Sequence, residues 1–159
     1  MLGTRLVGAL APHHVSVMGG VRRHTVIENE LAPAIRRGFL KAEIDLALQV
    51  PYRPFCDETV GLIAHVIEAS GIPTLVIGTA HDIMSKVTPP RAAFVDHPVG
   101  RTFGPPKDRQ RNQTILTKAL AELPKFARAG EIRDLGCNWS PDGSRAWEDE
   151  LRAEMLHDR

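Results

Sequence analysis

Cysteine is scarce in this chain of 159 residues: there are two, Cys56 and Cys137, far apart and in unlike surroundings. A disulfide framework is therefore excluded. Charge of one sign is also lacking. Twenty basic residues face nineteen acidic ones, a net +1, so the chain lacks the electrostatic footprint of a nucleic-acid or membrane-surface binder. No apolar run approaches the roughly 18 residues that a spanning helix requires. The opening MLGTRLVGALAPHH has neither the length nor the cleavage pattern of a secretory signal. These absences predict a cytoplasmic protein with no nucleic-acid and no membrane partner. A dinucleotide fingerprint is missing as well: Gly19-Gly20 is too short for G-x-G-x-x-G, so neither a nicotinamide nor a flavin cofactor is expected. Repeats and low-complexity tracts are absent. What remains, at 43% hydrophobic content, is enough to bury one ordinary core.

The richest stretch runs from Val50 to Gly71. Asp57 is a good N-cap residue, and Val60, Ile63, Ala64 and Ile67 keep the i, i+3, i+4, i+7 spacing of one buried helix face. Gly71 supplies the stop. That reading puts Cys56 just outside a helix N-terminus, where free N–H groups and the helix dipole favour a thiolate. Arg53 acts in the same direction, Asp57 and Glu58 against it. The other reading is a small buried cysteine without chemistry.

Along the chain, His14–Met18 is a short β-branched run ending at Gly19-Gly20, a strand and a turn. Thr25 and Glu28 form a capping box ahead of a helix to about Gly38, with Pro33 kinking it or moving its start. Ile44–Val50, Thr74–Gly78 and Ala92–Val95 read as strands, His81–Val87 as a short helix, and Asp108 opens a helix carrying Ile115, Leu116, Ala119, Leu120 and Leu123. Alternating strands and helices predict an α/β fold: a three-layer sandwich around a mostly parallel four-stranded sheet, Rossmann- or flavodoxin-like, with right-handed crossovers. This domain is assigned to residues 1–128. Residues 129–159 form a polar, turn-rich C-terminal extension with a terminal helix, Trp147, Leu151 and Met155 on one stripe. That helix packs on its own core or serves as an arm for another subunit.

In such sheets the site lies beyond the C-terminal strand ends, here Gly19–Arg23, Tyr52–Thr59, Thr79–Asp82 and His97–Arg101. Cys56 is the candidate nucleophile, with His81 and His97 as acid/base groups. Arg22, Arg53 and Arg101, with Thr59, Gly19 and Gly20, are candidates to bind an anionic substrate. Arg23 joins the same arginine cluster. Cys56, His81, His97 and Asp57 are ligand types for a metal, but no close ligand pair supports one, and no metal or resident cofactor is expected. His13-His14 reads as the start of a strand, and Cys137 as a resolving thiol only if the tail folds over the site.

Several words now stand together in order: APHHVSVMGG, the VP-x-x-P-x-C-x-x-x-VGL-x-x-x-x-E-x-x-GIPT stretch from Val50 to Thr74, PPRAAFVDHPVG from Pro89, and G-x-P-x-D from Gly104. With them the chain from about Leu10 to Leu123 resembles the selenoprotein B-like family, the B components of the glycine/sarcosine/betaine and D-proline reductases. In that family the loop before the VGL helix carries a selenocysteine or cysteine that attacks the substrate carbon and displaces an amine. The resemblance thus implies a redox or nucleophilic thiol at Cys56 and an external thiol reductant, acting on a small amino-acid-like anion. His97 falls within the HPVG word. Arg53 stands where the family often has the first cysteine of a pair, and relatives usually carry an additional N-terminal portion. These departures open two further readings: a non-catalytic subunit of a larger complex or a homo-oligomer, and a non-redox lyase or isomerase on the same fold.

Overall fold

Five residues in succession, Thr74–Gly78, are buried without exception, as in a strand covered on both faces. This strand, β2, is central in a sheet whose described strands are β1 (Ala47–Gln49), β2, β3 (Arg91–Asp96) and β4 (Glu131–Asn138), in that spatial order. All three pairings are parallel, with Leu75 opposite Leu48, Ile77 opposite Ala93 and Ala92 opposite Ile132. The computed structural model describes residues 6–21, 23–149 and 153.

The helices are α1 (His24–Val26), α2 (Ala32–Lys41), α3 (Pro54–Glu68), α4 (His81–Val87) and α5 (Arg109–Glu122). A π-helical turn, Ile27–Leu31, joins α1 to α2. Pro33, in the first turn of α2, cannot donate to the preceding turn and crowds it, and the wider π-turn accommodates that defect. Period 2 in the strands divides the core between two faces. Val76 and Ala92 meet Val60 and Ala64 of α3 and Met84 of α4. Leu75, Ile77, Ala93 and Val95 meet Ile115 and Ala119 of α5. The result is a helix–sheet–helix sandwich, with α2 packed beside α3 over Ile27, Ile35, Ile63 and Ile67. Full burial of each such aliphatic side chain contributes roughly 1.5–3 kcal/mol.

All three crossovers step in the same direction across the sheet, yet α3 and α4 share one face and α5 takes the other. One hand therefore cannot serve all three, and the α5 crossover is opposite to the two before it. The links leaving β2 and β3 turn to opposite faces of the sheet.

Two expected elements change place. His14–Met18 has no strand partner among the described residues and forms no regular element. The fourth strand instead comes from the polar stretch 131–138, whose Ile132 and Leu135 face opposite helical layers. Of the expected terminal helix, Trp147 is described and buried; Leu151 and Met155 lie outside the described residues.

Candidate functional site

Pro54 starts α3 one turn earlier than the sequence pattern suggested. Arg53 is its N-cap, extended at φ −141°, as a residue before proline must be, and Pro54 occupies the first turn, where its missing N–H costs nothing. Asp57 is therefore inside the helix and not its cap, and Cys56 sits in the first turn rather than outside it. The signal was present in the sequence as the proline itself.

Cys56 is half-buried, and the chain at Gly19 lies directly on it: a Cβ at position 19 would fall 2.2 Å from its Sγ. No residue but glycine fits there without movement. Gly20 turns the chain away at φ +81°. Thr59, one turn along the helix, is buried and donates its hydroxyl to the Phe55 carbonyl at 3.1 Å. A cavity of about 610 Å³ opens beside Cys56 and Thr59, between α3, the β1 edge and residues 10–19. Its floor is apolar, including Ile35, Phe39, Ile63 and Ile67, and none of its described lining residues is Lys, Arg, Asp or Glu. Its imidazoles are His13 and His14, which sequence reading passed over as the start of a strand. Their place in the APHHVSVMGG word was the available signal.

Asp57, the next residue, faces the sheet. It is 2% exposed and its Oδ1 has no hydrogen-bond partner. Gly78, the last residue of β2, lets it in: a Cβ there would lie 2.5 Å from Oδ1 and 2.7 Å from Met84 Sδ. Burial favours the neutral acid, and the nearby Asp82 carboxylate adds to the effect, against a favourable backbone hydrogen bond; the pKa is pushed from 3.8 to about 7. A protonatable carboxyl thus lies buried where α3 meets the end of β2.

Neither expected acid/base histidine, His81 or His97, is among the described residues that line the cavity of Cys56. His97 is 2% exposed and lines a different cavity with Arg111, Lys118 and Cys137. Its Nδ1 lies 3.1 Å from the Arg101 carbonyl, and its ring meets Trp139 edge-on at 5.5 Å. Desolvation first, and the Arg111 charge to a lesser degree, lower its pKa below 6.5 against carbonyl contacts that raise it. His81 opens α4, edge-on to Phe94 at 5.2 Å. Arg101 stacks on Trp139 at 5.6 Å and lines a third cavity, which shares only the Val50–Tyr52 wall with that of Cys56. Arg53 caps α3 through its backbone and does not line the Cys56 cavity. Arg22 lies outside the described residues. Cys137 sits on β4, 3.6 Å from Lys118 Nζ, and does not line the cavity of Cys56. Among the described residues no group of three or more His, Cys, Asp or Glu side chains could hold a metal ion, and no helix is long and apolar enough to cross a membrane.

Compared with known proteins, the chain is 29% identical over 126 residues to a protein named D-proline reductase subunit gamma from Acetoanaerobium sticklandii. The match covers 79% of this chain and 52% of that protein, so the chain spans about half the length of its relative. This is distant homology to a reductase subunit; the finer resemblance to the selenoprotein B-like components is not what the match names. No family model matches the chain, and no solved structure does.

Proposed function

We propose that this protein is a reductase-related subunit in which Cys56 is the reacting group. The observation that carries the reading is the placement of Cys56 in the first turn of a fifteen-residue helix, half-buried, in the wall of a cavity of about 610 Å³. The match to a protein named as a D-proline reductase subunit supports it. In the proposed reaction the Cys56 sulfur bonds to a substrate carbon, and the carbon–heteroatom bond breaks. The heteroatom leaves with the electron pair and takes up a proton, which His13 or His14 is placed to deliver. An external dithiol then supplies two electrons and two protons: it is oxidised to a disulfide, the substrate carbon gains hydrogen, and the Cys56 thiol is restored. Overall, R–X and a dithiol give R–H, HX and a disulfide. Such a reaction belongs in a reducing compartment, the cytoplasm.

The amino-acid-like anion implied by the sequence resemblance does not follow from the geometry. Arg53 and Arg101 do not line this cavity, so a carboxylate there would lack either of them as a cationic partner. The test is dithiothreitol consumption with D-proline and with uncharged carbon–heteroatom electrophiles. Cys56→Ser should abolish turnover while the far-ultraviolet circular dichroism is unchanged; retained turnover would sink the mechanism.

One observation favours a second reading, a subunit completed by a partner. Leu10, Val15, Val50 and Tyr52, which line the same cavity, are 44–80% exposed, and Phe55, beside Cys56 in α3, is 68% exposed. A contiguous exposed apolar patch marks an interaction site. Light scattering of wild type against Phe55→Asp tests it: an unchanged monomer mass in both, with full activity, removes this reading.

A further inference from the structure

The cavity at Cys56 carries information about what it holds. We infer that it receives an uncharged electrophile with an apolar body, the reacting carbon at Cys56 and the body lying along the floor formed by α2, α3 and β1. The inference rests on Cys56 being the reacting group.

Three features point this way. At about 610 Å³ the cavity lies within the roughly 300–1,000 Å³ range of small-molecule sites. Its floor is part of the core: Ile35, Ile63 and Ile67 are at most 9% exposed and continue into the cluster that holds α2 against α3. The described lining holds no Lys, Arg, Asp or Glu; its polar side chains are Ser16, Gln49, Tyr52 and Thr59, with the exposed imidazoles of His13 and His14. On the floor formed by Ile35, Ile63 and Ile67, away from the exposed His13 and His14, a carboxylate or ammonium would lose hydration with no fixed ion among the described lining residues to replace it. An alkyl or aryl body gains by leaving water, and the amide of Gln49 and hydroxyl of Tyr52 suffice for one carbonyl. Arg101 and Lys107 line the neighbouring cavity, beyond the Val50–Tyr52 wall.

The test uses thiol reagents of graded tail and charge on the Cys137→Ser protein, with Cys56 labelling followed by mass spectrometry and each rate normalised to that of free cysteine. N-ethyl, N-butyl and N-hexylmaleimide should label Cys56 with increasing efficiency, about fourfold for each methylene fully buried. Neutral iodoacetamide should outpace iodoacetate by at least tenfold, and Val15→Lys, which places an ammonium in the cavity wall, should narrow that ratio. Rates independent of tail length, or iodoacetate reacting as fast as iodoacetamide, overturn the inference. A separate arm removes dependence on the thiol. In Cys56→Ser, unreactive N-hexylsuccinimide should raise Tm by at least 2 °C more than N-ethylsuccinimide at equal concentration. Equal Tm values count against the cavity. A Cys56 that no reagent labels, with the succinimide effect intact, counts only against its reactivity.

Discussion

Asp57→Asn offers a direct test of how the interior of this protein treats a charge. The wild-type carboxyl is 2% exposed with an unpartnered Oδ1 and titrates at about 7 rather than 3.8, chiefly because burial penalises the anion. Between these values the unfolded chain has released the proton and the native state still holds it. The native protein is thus favoured fully below pH 3.8, loses stability as pH rises toward 7, and levels off above. Each pH unit of separation corresponds to about 1.4 kcal/mol, so the loss between pH 4 and pH 8 is on the order of 4 kcal/mol. Asparagine has nearly the same shape and no charge to bury. Urea titrations followed by tryptophan fluorescence at pH 4.5 and pH 8 should show Asp57→Asn close to wild type at the lower pH. At the higher pH it should be more stable by about 3–4 kcal/mol, which is about 2 M in midpoint for a urea slope near 1.5–2 kcal/mol/M. Other titrating groups cancel in the difference between the two proteins. Parallel pH profiles would falsify the reasoning, because the carboxyl would then be ionised at little cost in the folded state.

Three further outcomes are expected. His97 carries the opposite dependence. Its pKa is below 6.5 in the native state, so its contribution is complete above pH 6.5 and is lost as pH falls below it; His97→Gln should flatten the stability profile between pH 7 and pH 5 relative to wild type, as read by urea midpoints. Gly78→Ala should destabilise by roughly 1–3 kcal/mol, because its Cβ would lie 2.5 Å from Asp57 Oδ1 and 2.7 Å from Met84 Sδ; if thermal unfolding is unchanged, the close approach of α3 to β2 is not as described. Glu68, at the far end of α3, accepts from Arg91 and from the Thr74 amide and hydroxyl at 2.9 and 2.7 Å. Glu68→Ala should cost about 2 kcal/mol by leaving these donors short of a partner, a loss that chemical denaturation would register and that should leave Cys56 labelling rates unaltered.

Sequence by itself determined what depends on neighbours along the chain. The apolar spacing of Val60, Ile63, Ala64 and Ile67 and of Ile115, Ala119 and Leu120 does produce buried helix faces, and the charge-free run Thr74–Gly78 does form a strand buried on both sides. Alternation of such segments was enough for a parallel α/β sandwich. The start of α3 was legible too, in Pro54, although the good N-cap chemistry of Asp57 competed with it. Tertiary structure decided the rest. His14–Met18 has the β-branched pattern of a strand and finds no strand partner among the described residues, whereas the polar 131–138 stretch pairs with β3; pairing depends on which edge lies free once α5 has packed, and a local pattern does not contain that. The same holds for the site. Cys56 and Asp57 are consecutive, yet one faces an apolar cavity and the other the sheet, and the expected partner His97 lines a separate cavity with Arg111 and Lys118. Periodicity assigns a residue to a face of its own element. Which group it meets across the gap depends on close approaches such as Gly19 on Cys56 and Gly78 on Asp57, contacts between positions distant in the chain that exist only when the layers are stacked.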